Sequence, residues 1–170
     1  MNEQEKRNIA RKILEALYDT WERHTNISLN TVQEQGGWDR SLFRTVVDKL
    51  DKQLGLIKSA GSSYSFEMTP SGVIYAEENG IVPKDKVEWH EKIRQHILAF
   101  LAELHDREGS RADVHYEKIA EGALIKNKME MLRDLSLLSD LGKIEAVSTT
   151  SYRITDIGLR NYRGADEDII

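Results

Sequence analysis

The 170-residue sequence has no cysteine. That absence excludes a disulfide framework, a thiolate zinc site and a cysteine nucleophile. Proline occurs only twice, at Pro70 and Pro83, so long helices meet few breaks. No apolar run approaches the roughly 18 residues that a membrane span needs, and no membrane partner is expected. The opening stretch MNEQEKRNIARK is polar and lacks the apolar segment of a secretion signal. A cytoplasmic location is therefore the expectation.

Positive charge is also in short supply. There are 24 Lys and Arg against 29 Asp and Glu, a net charge of −5. Residues 1–84 carry 11 basic and 12 acidic side chains, and residues 85–170 carry 13 and 17. Neither half is the strongly basic domain of a general nucleic-acid binder. A local basic face on an acidic protein can still hold phosphates.

What the sequence does contain is a sentence written twice. FEMTPSG (Phe66–Gly72) and YRITDIG (Tyr152–Gly158) share the form aromatic-x-aliphatic-Thr-x-x-Gly. The segments before them also align. Ile9, Ile13, Ala16, Leu17 and Thr20 form one face of an amphipathic helix, and Ile93, Ile97, Phe100, Leu101 and Leu104 follow the same spacing. Each of these helices has a side stripe: Leu14, Tyr18 and Trp21 in the first, Leu98, Ala102 and His105 in the second. The extra stripe predicts a second contact, with the other half or with another subunit through Leu14, Tyr18, Trp21 and Leu98 as a homodimer or partner surface.

Two further helices are expected in each half. In the first, Asn30 caps NTVQEQ and Gly36-Gly37 stops it. Asp39 caps RSLFRTVVDKLDKQL, with Leu42, Val46, Leu50 and Leu54 or their neighbours buried. In the second, Asp113 caps VHYEKIAEG, and KNKMEMLRDLSLLSDL buries Leu132, Leu135, Leu138 and Leu141. Both long helices end on Leu-Gly, at Leu54-Gly55 and Leu141-Gly142. Short strands follow at LIKS and KIEA, turns at Gly61-Ser62-Ser63 and Ser148-Thr149-Thr150, and return strands at YSFEM and SYRIT. Thr69 and Thr155 then cap a closing helix, with Pro70 at the first helical position of the former.

The order helix, helix, helix, strand, strand, helix, twice over, resembles the winged helix-turn-helix fold. The Thr-x-x-Gly element after the hairpin is similar to a mark of the MarR-like and PadR-like transcriptional regulators. The resemblance implies a mainly α chain with small β-hairpins: residues 1–82 as one winged-helix domain, 83–88 as linker with Pro83 extended, and 89–164 as the second domain. The acidic tail, 165–170, is expected to be disordered. The resemblance further implies binding of double-stranded DNA through the third helix of a domain.

On that reading Arg40, Ser41, Arg44 and Thr45 face the major groove, with Arg40 and Arg44 one helical turn apart. Lys49 and Lys58 hold the backbone, and in the second half Lys126, Asn127, Lys128 and Arg133 take that part. Trp38 either flanks a sugar-phosphate strand or folds onto the core. The hairpin turns depart from the pattern, because they carry hydroxyls where DNA-binding wings carry Arg or Lys; only Lys58 and Arg153 lie near. This departure favours a rival reading, a protein-interaction module such as the acidic tandem winged helices of accessory subunits in chromosome-organising complexes.

Chemistry beyond binding is not expected. The five histidines, His24, His90, His96, His105 and His115, lack metal-ligand spacing and are read as surface or half-buried. No phosphate loop or nucleophile motif is present. No enzyme activity, cofactor or metal is predicted.

Overall fold

The computed structural model describes residues 3–167. The chain is mainly helical with two small antiparallel sheets, and it divides into two compact units, Met1–Val87 and Glu88–Ile170.

In the first unit α1 (Glu3–Arg23) buries Ile9, Ile13, Leu17 and Thr20, as the helical spacing predicts, and packs on α2, α3, β2 and α4. α2 (Leu29–Gly36) is capped not by Asn30 but by Ser28, whose Oγ accepts the Asn30 amide at 3.2 Å. Ser28 is also the donor to the Ser63 carbonyl at 2.8 Å, so one hydroxyl serves both the helix and the hairpin turn. α3 (Arg40–Asp48) starts at Asp39, whose carboxylate accepts the Leu42 amide at 3.0 Å. Its buried stripe is Phe43, Val46, Val47 and Leu50. Leu42 is only half-buried and Leu54 is exposed. The stripe moves because Phe43 brings more apolar surface to the core than Leu42 does, and because the last turn widens. Lys49–Gln53 is π-helical, with the Leu54 amide donating to the Lys49 carbonyl at 3.0 Å.

β1 (Ile57–Ser59) and β2 (Phe66–Met68) form the hairpin, and α4 (Pro70–Glu78) closes the unit. The repeated Thr-x-x-Gly text has a specific geometric meaning here. Thr69 Oγ1 donates to the Gly55 carbonyl at 2.6 Å and accepts the Gly72 amide at 3.0 Å. A Cβ on Gly72 would lie 1.9 Å from the Leu56 carbonyl oxygen, so the helix reaches the strand only with glycine there.

The second unit begins within α5 (Lys84–Glu108). The expected extended linker, 83–88, is therefore helical from Lys84 onward. Pro83 is its last non-helical residue, and its carbonyl accepts the Lys86 and Val87 amides, both at 3.1 Å. β3 (Val114–His115), α6 (Tyr116–Gly122), α7 (Lys128–Asp140), β4 (Ile144–Ala146), β5 (Ser151–Ile154) and α8 (Asp156–Glu167) follow. The sheet has the order β3-β5-β4, all antiparallel.

β3 replaces the start of the expected helix: Asp113 is not the cap, and His115 Nδ1 accepts the Glu117 amide instead at 3.2 Å. Val114 and His115 are spent on pairing with Tyr152 and Ser151. The core of this unit joins Ile93, Ile97 and Leu101 of α5 to Ile119, Met131, Leu135, Leu138 and Ile144. Leu132 and Leu141, expected inside, are half-buried. Thr155 repeats the bonds of Thr69, donating to Gly142 O at 2.6 Å and accepting the Gly158 amide at 3.0 Å. A Cβ on Gly158 would meet the Lys143 carbonyl oxygen at 1.9 Å. α8 carries the chain through Gly164 to Glu167, so the first half of the acidic tail is helical rather than disordered; a glycine costs a helix only about 1 kcal/mol. Residues 168–170 lie outside the described residues.

Candidate nucleic-acid interface

The exposed face of α3 is built by its buried one. With Phe43, Val46 and Val47 inward, Arg40, Ser41, Arg44 and Thr45 turn outward, and all four are exposed. Thr45 Oγ1 donates to the Ser41 carbonyl at 3.0 Å, which commits its proton and leaves its methyl and the oxygen's acceptor capacity to meet a ligand. Lys49 is exposed one turn further on, at the start of the π-helical segment.

Arg44 is held in place by a residue that the sequence reading passed over. Its guanidinium carbon lies 4.7 Å from the centroid of the Tyr64 ring. Tyr64 belongs to the hairpin turn, and both it and Ser63 adopt left-handed backbone angles, with φ of 57° and 63°. The Tyr64 carbonyl accepts the Leu29 amide at 3.0 Å, and its ring packs edge-on to Phe66 at 5.2 Å. The turn is thus folded down onto the start of α2 and onto α3. The sequence signal was faint: an aromatic two residues before a strand, with neither glycine nor asparagine to announce the positive φ.

Burial pushes the Tyr64 phenol above its ordinary value, and the neighbouring Arg44 charge pulls it partly back. The ring is therefore neutral across physiological pH and presents an intact π face to the guanidinium.

The remaining candidates separate into free and occupied groups. Lys58 pairs with Glu67 across the hairpin at 3.2 Å. Asn127 is the N-cap of α7, its Oδ1 accepting the Met129 amide at 3.1 Å, which fixes the side chain and leaves its amide N–H groups as the donors for a phosphate. Lys128 lies 3.8 Å from Glu117, and Arg133 is half-buried. Lys126 is exposed just before the cap. Trp38 folds onto the core: it stacks on Phe43 with centroids 6.1 Å apart and covers the position a Gly36 side chain would fill. The first unit thus gathers its candidate residues on one helix, while the second spends most of its own on local structure.

Most of the stripe expected to meet a partner is covered. Leu14, Tyr18 and Leu98 are buried and Trp21 is half-buried. Tyr18 is covered because its hydroxyl donates to Glu77 at 2.8 Å and its ring leans on Trp21.

Another cluster escaped the sequence reading altogether. His90, expected at the surface or half-buried, is 1% exposed, and Asp134 is 0% exposed. His90 Nδ1 lies 2.8 Å from Asp134 Oδ2, and Arg94 Nε donates to Asp134 Oδ1 at 2.7 Å. Beside them Trp89 Nε1 donates to Glu130 at 2.7 Å. Sequence spacing held the clue. His90, Arg94, Ile97 and Leu101 share one stripe of α5, and Asp134 shares a stripe of α7 with Met131 and Leu138. A buried carboxylate bonded on both oxygens by side chains from a second helix ties α5 to α7. Among the described residues no group of three or more His, Asp or Glu side chains is placed to hold a metal.

Comparison with protein-family models, curated proteins and solved structures gave no significant match.

Proposed function

We propose that the chain is a pair of winged-helix domains related by duplication, and that it binds double-stranded DNA as a cytoplasmic transcriptional regulator. α3 of the first domain is the reading element. The observation that carries this is the α3 face itself: Arg40 and Arg44 one turn apart, both exposed, with Arg44 braced on Tyr64. A guanidinium already ordered by a ring loses less freedom on meeting a guanine edge or a phosphate. The duplication is supported by the shared order of helices and hairpin in the two units and by the matching Thr-x-x-Gly hydrogen bonds. No step of this reading needs a cofactor or a catalytic group.

Within it the roles narrow. Arg40, Ser41 and Arg44 read bases, Thr45 offers a methyl group to thymine, and Lys49 and Lys126 contact the backbone. Asn127, whose Oδ1 caps α7, keeps its amide N–H groups for a phosphate.

The rival reading, a protein-interaction module, draws on one observation. The only hairpin lysine near the first turn is neutralised by Glu67, so the wing has little to give a phosphate. Selection from a random duplex pool at low salt distinguishes the two. Enrichment of a common sequence by the wild-type chain, lost with Arg40→Ala/Arg44→Ala, is the expected result. No retention of duplex at any salt concentration contradicts it.

A further inference from the structure

Along one side of the first unit runs a groove of about 800 Å³. One wall is α1, which lines it from Glu3 to Leu14; the other is the C-terminal part of α3 and its π-helical turn, from Thr45 to Leu54. The eleven steps from Glu3 to Leu14 rise about 16 Å, so the groove is as long as three helical turns. Its floor is apolar, with Leu14, Val46 and Leu50 at the bottom. Leu54 and Tyr75, among its lining residues, are 49% and 41% exposed, large apolar groups that the fold leaves uncovered.

The π-helical turn makes this shape. Bonding Leu54 to Lys49 in place of Leu50 widens the helix by one residue and brings Lys49, Gln53 and Leu54 to the same wall. The rim has the opposite charge to the chain. Lys6, Arg7, Arg11 and Lys49 line it against the single carboxylate of Glu3, on a protein of net charge −5. Lys6 and Arg11 already have carboxylate partners in Glu3 and Glu15.

We infer that this groove is the docking site for an amphipathic helix of a partner protein with acidic flanks. Its leucine-type stripe would cover Leu54 and Tyr75, and its carboxylates would meet Arg7 and Lys49. The length, the apolar floor and the basic rim each match one property of such a helix. The inference goes beyond DNA binding and does not depend on it, because the groove is defined without any nucleic acid.

The test uses the full-length chain and no DNA. The probe is a fluorescein-labelled peptide helix with leucines along one stripe and glutamates elsewhere; its control has lysines at the glutamate positions. The expected result is saturable binding of the acidic peptide, with amide shifts at Leu54, Tyr75 and Arg7. Affinity for the lysine peptide should be weaker by about tenfold or more. Arg7→Glu/Lys49→Glu, both exposed and so compatible with folding, should abolish that preference, and Leu54→Asp should weaken binding with the charges intact. Equal binding of the two peptides, shifts confined to other surfaces, or indifference to both variants with an unchanged circular dichroism spectrum would overturn the inference.

Discussion

Arg44 concentrates the functional account at one residue. If it reads a base, Arg44→Ala costs about 1–3 kcal/mol on a selected duplex. Tyr64→Ala costs about 0.5–1 kcal/mol through the lost cation–π contact, and nothing further once Arg44 is gone. Anisotropy titrations over the four-member mutant cycle measure that coupling; additive losses would separate Tyr64 from Arg44. The Tyr64 phenol gives a second check. Burial raises it and the Arg44 charge lowers it. Removing the arginine moves the phenol further up, seen by ultraviolet titration of Arg44→Ala against wild type. A phenol raised in the folded state favours folding less as pH climbs through the ordinary value of about 10, so its contribution to stability declines above that pH. In the second unit Asp134 holds His90 and Arg94 out of water. Asp134→Asn removes the charge and one acceptor oxygen from a buried cluster that holds an arginine, and about 3–5 kcal/mol of stability goes with it. A urea midpoint within error of wild type would show the cluster to be incidental.

Elements form here because of caps and close approaches more than propensity. Gly72→Ala and Gly158→Ala each force a methyl into a carbonyl oxygen 1.9 Å away. Each is expected to cost at least about 1–3 kcal/mol, whereas Ser71→Ala, on the exposed side of the same turn, leaves the melting temperature unchanged. Ser28→Ala removes a cap and a hairpin tether together, so it costs about 1 kcal/mol and speeds hydrogen exchange across Ala60–Ser65.

These same features mark how far the sequence can be read. Periodicity placed the faces of α1 and α5, because a 3.6-residue repeat of aliphatics has few competing explanations. The doubled Thr-x-x-Gly located both hairpins and their closing helices. Caps at Ser28 and His115 were missed because Asn30 and Asp113 are equally good capping residues, and tertiary pairing at Ser28 and in β3 chose between them. The π-helical turn left no mark at all. It follows from where Leu50 and Leu56 sit in the core, and local residue types do not encode that. At the site, Arg40 and Arg44 were legible as outward positions, while Tyr64 was not, since its role depends on a backbone conformation unusual for tyrosine.

At the scale of the whole molecule the chain is two compact units with a helix, α5, that begins at the end of one and continues into the other. Among the described residues, the core cluster of the second unit runs from Ile93 to Leu159. A fragment of residues 84–170, which keeps α5 whole, is therefore expected to unfold cooperatively by itself, with a single transition by both circular dichroism and tryptophan fluorescence. A broad, non-coincident melt would mean that the core needs more of the chain.

In an acidic protein, the first unit places Lys6, Arg7, Arg11 and Lys49 along one groove and Arg40 and Arg44 on the exposed face of α3. The central claim, that α3 of that unit holds duplex DNA, is tested most directly by the salt dependence of binding to a selected duplex. The account predicts that log K falls linearly with log salt, by about 0.9 for each phosphate contact, and that Lys49→Ala reduces the slope by about one such step while Arg44→Ala lowers affinity at every salt concentration. A flat salt response, or identical curves for wild type and both variants, would contradict it.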